Sequence, residues 1–247
     1  MPLELVVIFC IGFLAQLVDG ALGMAFGLIS TTALLALGMP PAQSSAAVHT
    51  AEVVTTGASG LSHLFQGNID RRLLVTLGLA GAIGGIIGAY ILSNIDGRAI
   101  RPFVSGYLLV MGILVLMRAF VLAPVDEDAN VGYAAPLGLV GGFLDAIGGG
   151  GWGPMVSSTL IGSGQAPRRV IGSVNAAEFF VTVAVSTTFF IELGMAHLQH
   201  IGALMAGGVL AAPFGAFVVR NVRARLLMTM VGLLIVVLAV YQLASSI

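Results

Sequence analysis

The sequence contains no lysine, and only 9% of its 247 residues are charged, whereas 58% are hydrophobic. A soluble domain usually carries about 25% charged residues, so this composition excludes an ordinary water-soluble globule. Ten arginines and eleven acidic residues give a net charge of −1, which leaves no basic surface for the phosphates of a nucleic acid. The mean hydropathy of +1.06 and the position of the arginines between long apolar runs indicate a polytopic integral membrane protein.

Cysteine and enzyme motifs are scarce as well. The single cysteine, Cys10, lies in an apolar segment and excludes an intramolecular disulfide. The sequence has no phosphate-binding loop, no nucleophile elbow, no zinc-protease motif and no paired cysteines. About eight membrane segments would use the whole chain. We therefore predict an all-α membrane protein that is not an enzyme and has no cofactor or resident metal.

The apolar runs fall into two sets of four. A solvated acidic stretch, 123–132, separates a first half, 1–122, from a second half, 133–247, within one membrane domain. This stretch contains Asp126, Glu127 and Asp128. The eight apolar runs are 3–37, 42–65, 73–92, 102–122, 134–162, 170–191, 198–219 and 226–244.

The halves align with each other when the sequence is shifted by 126 residues. Shared glycine and alanine are common in such a composition, but paired acidic residues in apolar sequence are not, so the alignment indicates an internal duplication. The shift pairs Asp19 with Asp145, Gly23 with Gly149, Gly27 with Gly153, Pro41 with Pro167 and Glu52 with Glu178.

The first segment of each half is too long for a simple span. A helix over 3–37 would be about 50 Å long, against a hydrocarbon core near 30 Å. Glycine-rich breaks at 19–27 and 145–154 interrupt these segments, which are therefore either broken spans or re-entrant hairpins. Two hairpins with six spans place eight of the ten arginines on one side, and eight plain spans place seven there. We favour the hairpins, because they make the halves inverted repeats suited to alternating access. Both topologies place the termini outside.

The two breaks are also the candidate substrate site. Unwound backbone is tolerated at membrane depth only where it is buried or lines a cavity, and its amides suit a small oxyanion. The alternative is that glycine only permits close helix packing. The residues that we predict to bind substrate are Gln16, Asp19, Gly20, Gly23, Gly27, Ser44, Ser45, Asp145, Gly149, Gly150, Gly151, Trp152, Gly153, Ser157 and Asn175.

A second set of polar residues suggests proton coupling. Glu52 and Glu178 are ionisable groups inside apolar segments, where the cost of burial makes a functional role the default expectation. His49 lies three residues before Glu52, on the same helical face, and histidine is a side chain that proteins use as a proton relay. We predict that His49, Glu52 and Glu178 carry protons; structural hydrogen bonding is the alternative for each of them.

The duplicated glycine-rich break after an aspartate and the four-segment half resemble the TauE/SafE sulfite exporter family, also called toluene sulfonate uptake permeases. The resemblance covers essentially the whole chain. It implies a multi-pass transporter of the bacterial inner membrane that moves small sulfur-containing anions, such as sulfite or an organosulfonate, driven by an ion gradient. By motif match, it extends to Asp19, Gly20, Gly23, Gly27, Asp145, Gly149, Gly150, Gly151 and Gly153.

The sequence thus predicts a proton-coupled secondary transporter of a small anion that works by alternating access in the lipid bilayer. A divalent cation permease, with the intramembrane carboxylates and His49 as ligands, is the first alternative. An intramembrane protease with Asp19 and Asp145 as a dyad and a structural scaffold are weaker alternatives. The oligomeric state is open, and a homodimer is compatible with the sequence.

Overall fold

The computed structural model describes residues 3–120, 132–194, 198–214 and 222–245. Regular structure in these ranges is helical, which confirms the all-α prediction. The acidic stretch, except for residue 132, lies outside the described residues. The helices are α1 Leu3–Leu22, α2 Phe26–Ala36, α3 Pro41–Phe65, α4 Arg71–Asn94, α5 Gly97–Arg118, α6 Ala134–Gly148, α7 Ser158–Gly162 after a π-helical turn Gly153–Ser157, α8 Pro167–Leu193, α9 Leu198–Ala211 before a 3₁₀ turn Ala212–Phe214, and α10 Ala224–Ala244.

Several helices begin at the polar breaks between the apolar runs. The Asp70 carboxylate accepts hydrogen bonds from the backbone N–H groups of Arg72 and Leu73, at 2.9 and 3.0 Å, and so caps α4. Asp96 caps α5 in the same way. α3 and α8 each begin at a proline, whose missing N–H would have no partner in the first turn.

Five helices, α1, α4, α5, α8 and α10, are long and apolar enough to cross a membrane. α3 has 25 residues and is equally long, but it is more polar. Several of its polar side chains, including those of Ser45, His49 and Glu52, are buried in the protein rather than exposed at its surface. The protein is therefore a multi-pass membrane protein whose least apolar long helix lies in the interior.

The first segment of each half is a re-entrant hairpin. Glu4 and Ile8 in α1 line the same cavity as Leu37 and Met39, which follow α2; a straight helix would hold the ends of this segment about 50 Å apart. In the second half, the Tyr133 hydroxyl is hydrogen-bonded to the hydroxyl of Ser163, so the start of α6 meets the end of α7. We call α1 with α2 the first hairpin and α6 with α7 the second hairpin.

The two hairpins enter from opposite faces. Both ends of the first hairpin lie at one face of the protein, which we call the terminal face. At this face, Glu4 forms an ion pair with His200 at 3.3 Å, and the Asn94 side chain donates a hydrogen bond to Glu192 at 3.2 Å. α3, α4 and α5 then cross between the faces. α5 ends at the opposite face, which we call the arginine face; there Arg225 donates to the carbonyl of Ala119, Arg168 donates to Asn68, and the second hairpin begins and ends.

The helix contacts follow the predicted repeat. α1 packs on α9, and α4 packs on α6; α3 packs on α8, and α5 on α10. The first arm of each hairpin, α1 or α6, therefore packs against the third segment of the other half. This exchange and the opposite orientations are what an inverted repeat requires, and the duplication itself stays an interpretation of the sequence.

Glycines make the α4–α6 contact close. A Cβ on Gly88 would lie 2.6 Å from the carbonyl oxygen of Phe143, and a Cβ on Gly84 would overlap the carbonyl oxygen of Leu139. The small-residue stripe of α4 thus has the packing role that the sequence suggests.

We predict that Gly84→Ala lowers the free energy of unfolding by about 1–3 kcal/mol, because the added methyl group forces α4 and α6 apart. Gly106→Ala in α5 is the matched control, since a Cβ there has nothing within 4 Å; it should be neutral or slightly stabilising. Reversible unfolding in mixed detergent micelles measures both. Equal effects of the two substitutions would contradict the close crossing.

Candidate functional site

The turns of the two hairpins meet in the interior. A Cβ on Gly27, at the start of α2, would lie 2.8 Å from the Cα atom of Gly150 and 2.9 Å from Oε1 of Glu52. A Cβ on Gly153 would lie 2.9 Å from that of Met24. The sequence analysis predicted that the two breaks lie together, and these contacts confirm it.

Each hairpin is closed by its own aspartate. In the second hairpin, Oδ1 of Asp145 accepts a hydrogen bond from the backbone N–H of Trp152 at 2.9 Å. In the first, Oδ1 of Asp19 accepts one from the N–H of Phe26 at 3.3 Å. Both bonds join residues seven positions apart, so the aspartate at the end of one arm caps the start of the other arm.

The carbonyl groups of the second break are bonded by side chains of the first half. The Thr31 hydroxyl donates to the carbonyl of Gly149, the Tyr107 hydroxyl to that of Gly150 at 3.0 Å, and the Ser45 hydroxyl to that of Ala146 at 2.6 Å. The sequence analysis missed Thr31 and Tyr107. The shift of 126 residues pairs Thr31 with Ser157, which was the available signal for it; Tyr107 had none, because it is a lone tyrosine in an apolar span.

The backbone of this break requires glycine. Gly149, Gly150 and Gly151 have φ angles of +68°, +150° and +130°, a region that other residues rarely adopt. Their positions are as predicted, in the break itself. Gly23 in the first break also has a positive φ, +67°, and Ala25 beside it has φ +144°.

His49 and Asp145 form a buried pair between the halves. Nε2 of His49 lies 3.0 Å from Oδ2 of Asp145, and the two residues are 0% and 1% exposed. Nδ1 of His49 lies 2.8 Å from the carbonyl oxygen of Ser45, which can only accept, so Nδ1 carries a proton. The contact with Asp145 then needs one more proton, on either Nε2 or Oδ2. In both cases the pair has no net charge.

The second half lacks an equivalent pair. Asn175 stands at the position that corresponds to His49, and its amide donates to the Ser59 hydroxyl at 3.1 Å. Among the described residues, Asp19 forms no ion pair. The two hairpins are therefore similar in shape and different in charge.

Glu52 lies where the breaks meet. It is 4% exposed, and its Oε1 lies beside Gly27 at the start of α2, 2.9 Å from the position that a Cβ on that glycine would take. Its Oε2 has no hydrogen-bond partner in the described part of the chain. Glu178, Asp145 and Asp19 are near enough for their charges to act on it. Four carboxyl groups are thus concentrated around the two breaks.

The predicted oxyanion donors are already engaged. We expected free amides at the breaks, but the N–H groups of Phe26 and Trp152 donate to carboxylates of the chain itself, and Oε1 of Glu52 lies beside Gly27. The physical reason is that an unpaired N–H group in a water-free interior costs several kcal/mol. The protein's own anions fill the positions that we assigned to a substrate.

The remaining predicted residues vary in their surroundings. Trp152 is fully buried, and its indole N–H donates to the carbonyl of Val174 at 3.2 Å. A Cβ on Gly81 would lie only 2.5 Å from the nearest atom of the indole ring. Gly20 is exposed on α1. Three residues are buried and each has one oxygen without a hydrogen-bond partner in the described ranges: Gln16, Ser44 and Ser157.

No group of three histidine, cysteine, aspartate or glutamate side chains within the described residues is arranged to hold a metal ion. His49 with Asp145 gives two ligands only. The geometry gives no support to the cation permease.

A helical membrane protein in which two hairpins enter from opposite faces and meet at a buried polar centre has the architecture of a membrane transporter. The family described as "Sulfite exporter TauE/SafE" matches residues 8–242, and this chain belongs to that family.

Several relatives are named as transporters. The chain is 43% identical over 237 residues to "Probable membrane transporter protein YtnM" of Bacillus subtilis (strain 168), covering 93% of this chain and 79% of the relative. It is 27% identical over 213 residues to YdhB of the same organism, covering 84% and 80%. It is 27% identical over 237 residues to a probable membrane transporter protein of Haemophilus influenzae, covering 92% and 89%. No solved structure gives a significant match.

We predict that Asp145→Ala lowers the free energy of unfolding by about 2 kcal/mol more than Asp145→Asn, because alanine leaves Trp152 N–H and His49 without a partner. An asparagine can still accept from Trp152 and can donate to neutral His49. Asp19→Ala should cost less, since Asp19 is half-buried and its bond is longer. Thermal unfolding in detergent measures all three; equal values for the two Asp145 variants would contradict the double role.

Proposed function

We propose that this protein is a proton-coupled secondary transporter that moves a small oxyanion, such as sulfite or an organosulfonate, across the bacterial inner membrane. Its family supports transport of a sulfur oxyanion, although its relatives are named only as probable membrane transporters. One observation supports the anion most directly: the carboxylate of Glu52 lies against the N-terminal end of α2, and its Oε2 has no hydrogen-bond partner among the described residues. A site that binds a carboxylate through a helix N-terminus suits another oxyanion of similar size.

Glu52 and the substrate compete for this site. When Glu52 is protonated, its charge is removed and its hold on the N-terminal end of α2 weakens, because a neutral acid is a poorer acceptor than a carboxylate. An oxyanion can then take the N-terminal end of α2. When Glu52 loses its proton, it expels the anion by repulsion and by reoccupying that end of the helix. One proton would accompany each anion bound.

The other carboxyl groups adjust the charge of the site. The His49–Asp145 pair has no net charge, so Asp145 does not repel an anion while that pair is intact. Glu178 and Asp19 have no such partner among the described residues, and in the ionised form each would oppose an anion near Glu52. Protonation of Glu178 would therefore lower the cost of binding further.

Alternating access follows from the two hairpins. They enter from opposite faces and touch through Gly27 and Gly150, whose close approach leaves no space between them. Movement of one hairpin away from the other would open the site toward one face while the second hairpin keeps the other face closed. The substrate site lies at that moving contact.

We predict that Glu52→Gln abolishes proton-driven accumulation of anion in proteoliposomes, because glutamine cannot carry the proton, and that downhill anion exchange survives. Glu178→Gln should weaken the coupling. The matched control is Glu192→Gln, which alters an exposed carboxylate at the terminal face and should leave transport unchanged. Wild-type accumulation by the Glu52→Gln, Glu178→Gln double variant would exclude the coupling role.

We also predict that anion affinity rises as the pH falls, because protonation of the carboxyl groups removes charges that repel the anion. Calorimetry with benzenesulfonate measures this cleanly, since its sulfonate stays ionised over the whole range. Glu52→Gln should flatten the pH dependence. A parallel series with divalent cations tests the other substrate class; saturable cation binding without anion binding would overturn the proposal.

A further inference from the structure

A second site lies at the arginine face, away from the contact between Gly27 and Gly150. A cavity of about 300 Å³ separates the end of α5 from the second arm of the second hairpin. Its walls are mainly apolar, and its polar groups are Arg118, Ser158 and Thr159. The apolar walls include Leu114, Met117, Pro154, Met155 and Ile161.

The Arg118 side chain is half-buried and has no acidic partner among the described residues. Its Nη1 donates to the Ser158 hydroxyl and to the sulfur of Met24, the latter at 3.4 Å. Neither group is negatively charged. Its Nε and Nη2 donate to no described residue. A guanidinium that lines a mainly apolar cavity suits an anionic ligand, because two opposite charges that leave water together cost less than one alone.

Other arginines at this face are bound differently. Arg168 donates through Nε to the Asn68 side chain at 2.5 Å and through Nη2 to the carbonyl of Gln66. Arg225 donates to the carbonyl of Ala119 and lies 5.6 Å from the centre of the Phe120 ring. Arg118 differs from both, since it lines a cavity and its Nε and Nη2 have no acceptor in the described ranges.

We propose that this cavity binds an amphiphilic oxyanion, a molecule with one anionic head group and a short apolar body. The guanidinium of Arg118 and the hydroxyl of Ser158 hold the head group. The apolar walls hold the body, which a bare inorganic ion lacks. The anion is either a free organic acid or the head group of an anionic phospholipid; the chemistry is the same, and the experiment separates these sources. This site goes beyond the proposed transport function and does not depend on it.

The occupant also touches the second hairpin. Pro154 ends the second break, and Met155 and Ser158 follow it. Met24 belongs to the first break, so Arg118 reaches both hairpins. An anion held here would hold the second arm of the second hairpin against α5. Occupancy would therefore favour the arrangement described here over one in which that arm has moved.

The test uses cysteine labelling of the full chain. Cys10 is the only cysteine, so Cys10→Ser gives a background without thiols, and Thr159→Cys places one reporter in the cavity wall. Two methanethiosulfonate reagents of similar size are compared, one with a sulfonate and one with a quaternary ammonium. We expect the sulfonate reagent to be favoured, and Arg118→Gln to reduce the ratio of the two rates by roughly ten-fold or more, the usual effect of a charge-assisted hydrogen bond.

Arg225→Gln is the matched control. It removes the same charge from the same face, but Arg225 does not line the cavity, so the ratio should change by less than about two-fold. A second measurement keeps Arg118 in place, so its outcome does not depend on whether an arginine variant folds. Benzenesulfonate should protect Thr159→Cys from labelling, and the neutral methyl phenyl sulfone should not.

The source of the anion is found by changing the bilayer. Nanodiscs of phosphatidylcholine are compared with an equimolar mixture of phosphatidylcholine and phosphatidylglycerol. Protection by benzenesulfonate in both bilayers identifies a free organic anion, and protection by phosphatidylglycerol alone identifies a lipid head group. The proposal is overturned if neither anion protects the reporter and if Arg118→Gln gives the same rate ratio as Arg225→Gln.

Discussion

Peptide groups that leave a helix inside hydrocarbon must find a hydrogen-bond partner, and this constraint organises the centre of the protein. Each hairpin turn exposes N–H groups at the start of its second arm, and a carboxylate accepts a hydrogen bond there in each hairpin: Asp19 from Phe26 and Asp145 from Trp152. These two acidic residues therefore lie in the interior because the breaks are there. A structural need thus accounts for two of the four carboxyl groups at the place where a transport site can use them.

The same constraint gives Glu52 two possible roles that need not conflict. It lies against the start of α2 in the first break, and its Oε2 has no hydrogen-bond partner in the described part of the chain. An acid that only capped a helix would gain from a second hydrogen-bond partner, as Asp145 does from His49. The incomplete bonding of Glu52 makes it the carboxylate that an incoming anion could most easily displace.

The sequence was sufficient to predict the helices and the hairpins. It was insufficient to predict the contacts between them. Gly-rich breaks, polar interruptions and helix length predicted the hairpins, and we preferred their inverted arrangement because it suits alternating access. The pairing of His49 with Asp145 could not be predicted, since it joins residues 96 positions apart through a fold that periodicity does not fix. Arg118 stood at the end of a span and was an ordinary interfacial charge in the sequence; only the cavity beside it distinguishes it from Arg225.

The hydrogen bonds of the second break also bear on how the protein is made. Carbonyl groups at 146, 149 and 150 are bonded by Ser45, Thr31 and Tyr107, all of which are synthesised earlier. A ribosome that has just released the second hairpin thus delivers it to a first half that already holds the required donors. If the second half were synthesised first, these carbonyl groups would lie in lipid without hydrogen-bond donors until the first half was made. A circular permutant that starts at the second half should therefore insert less efficiently.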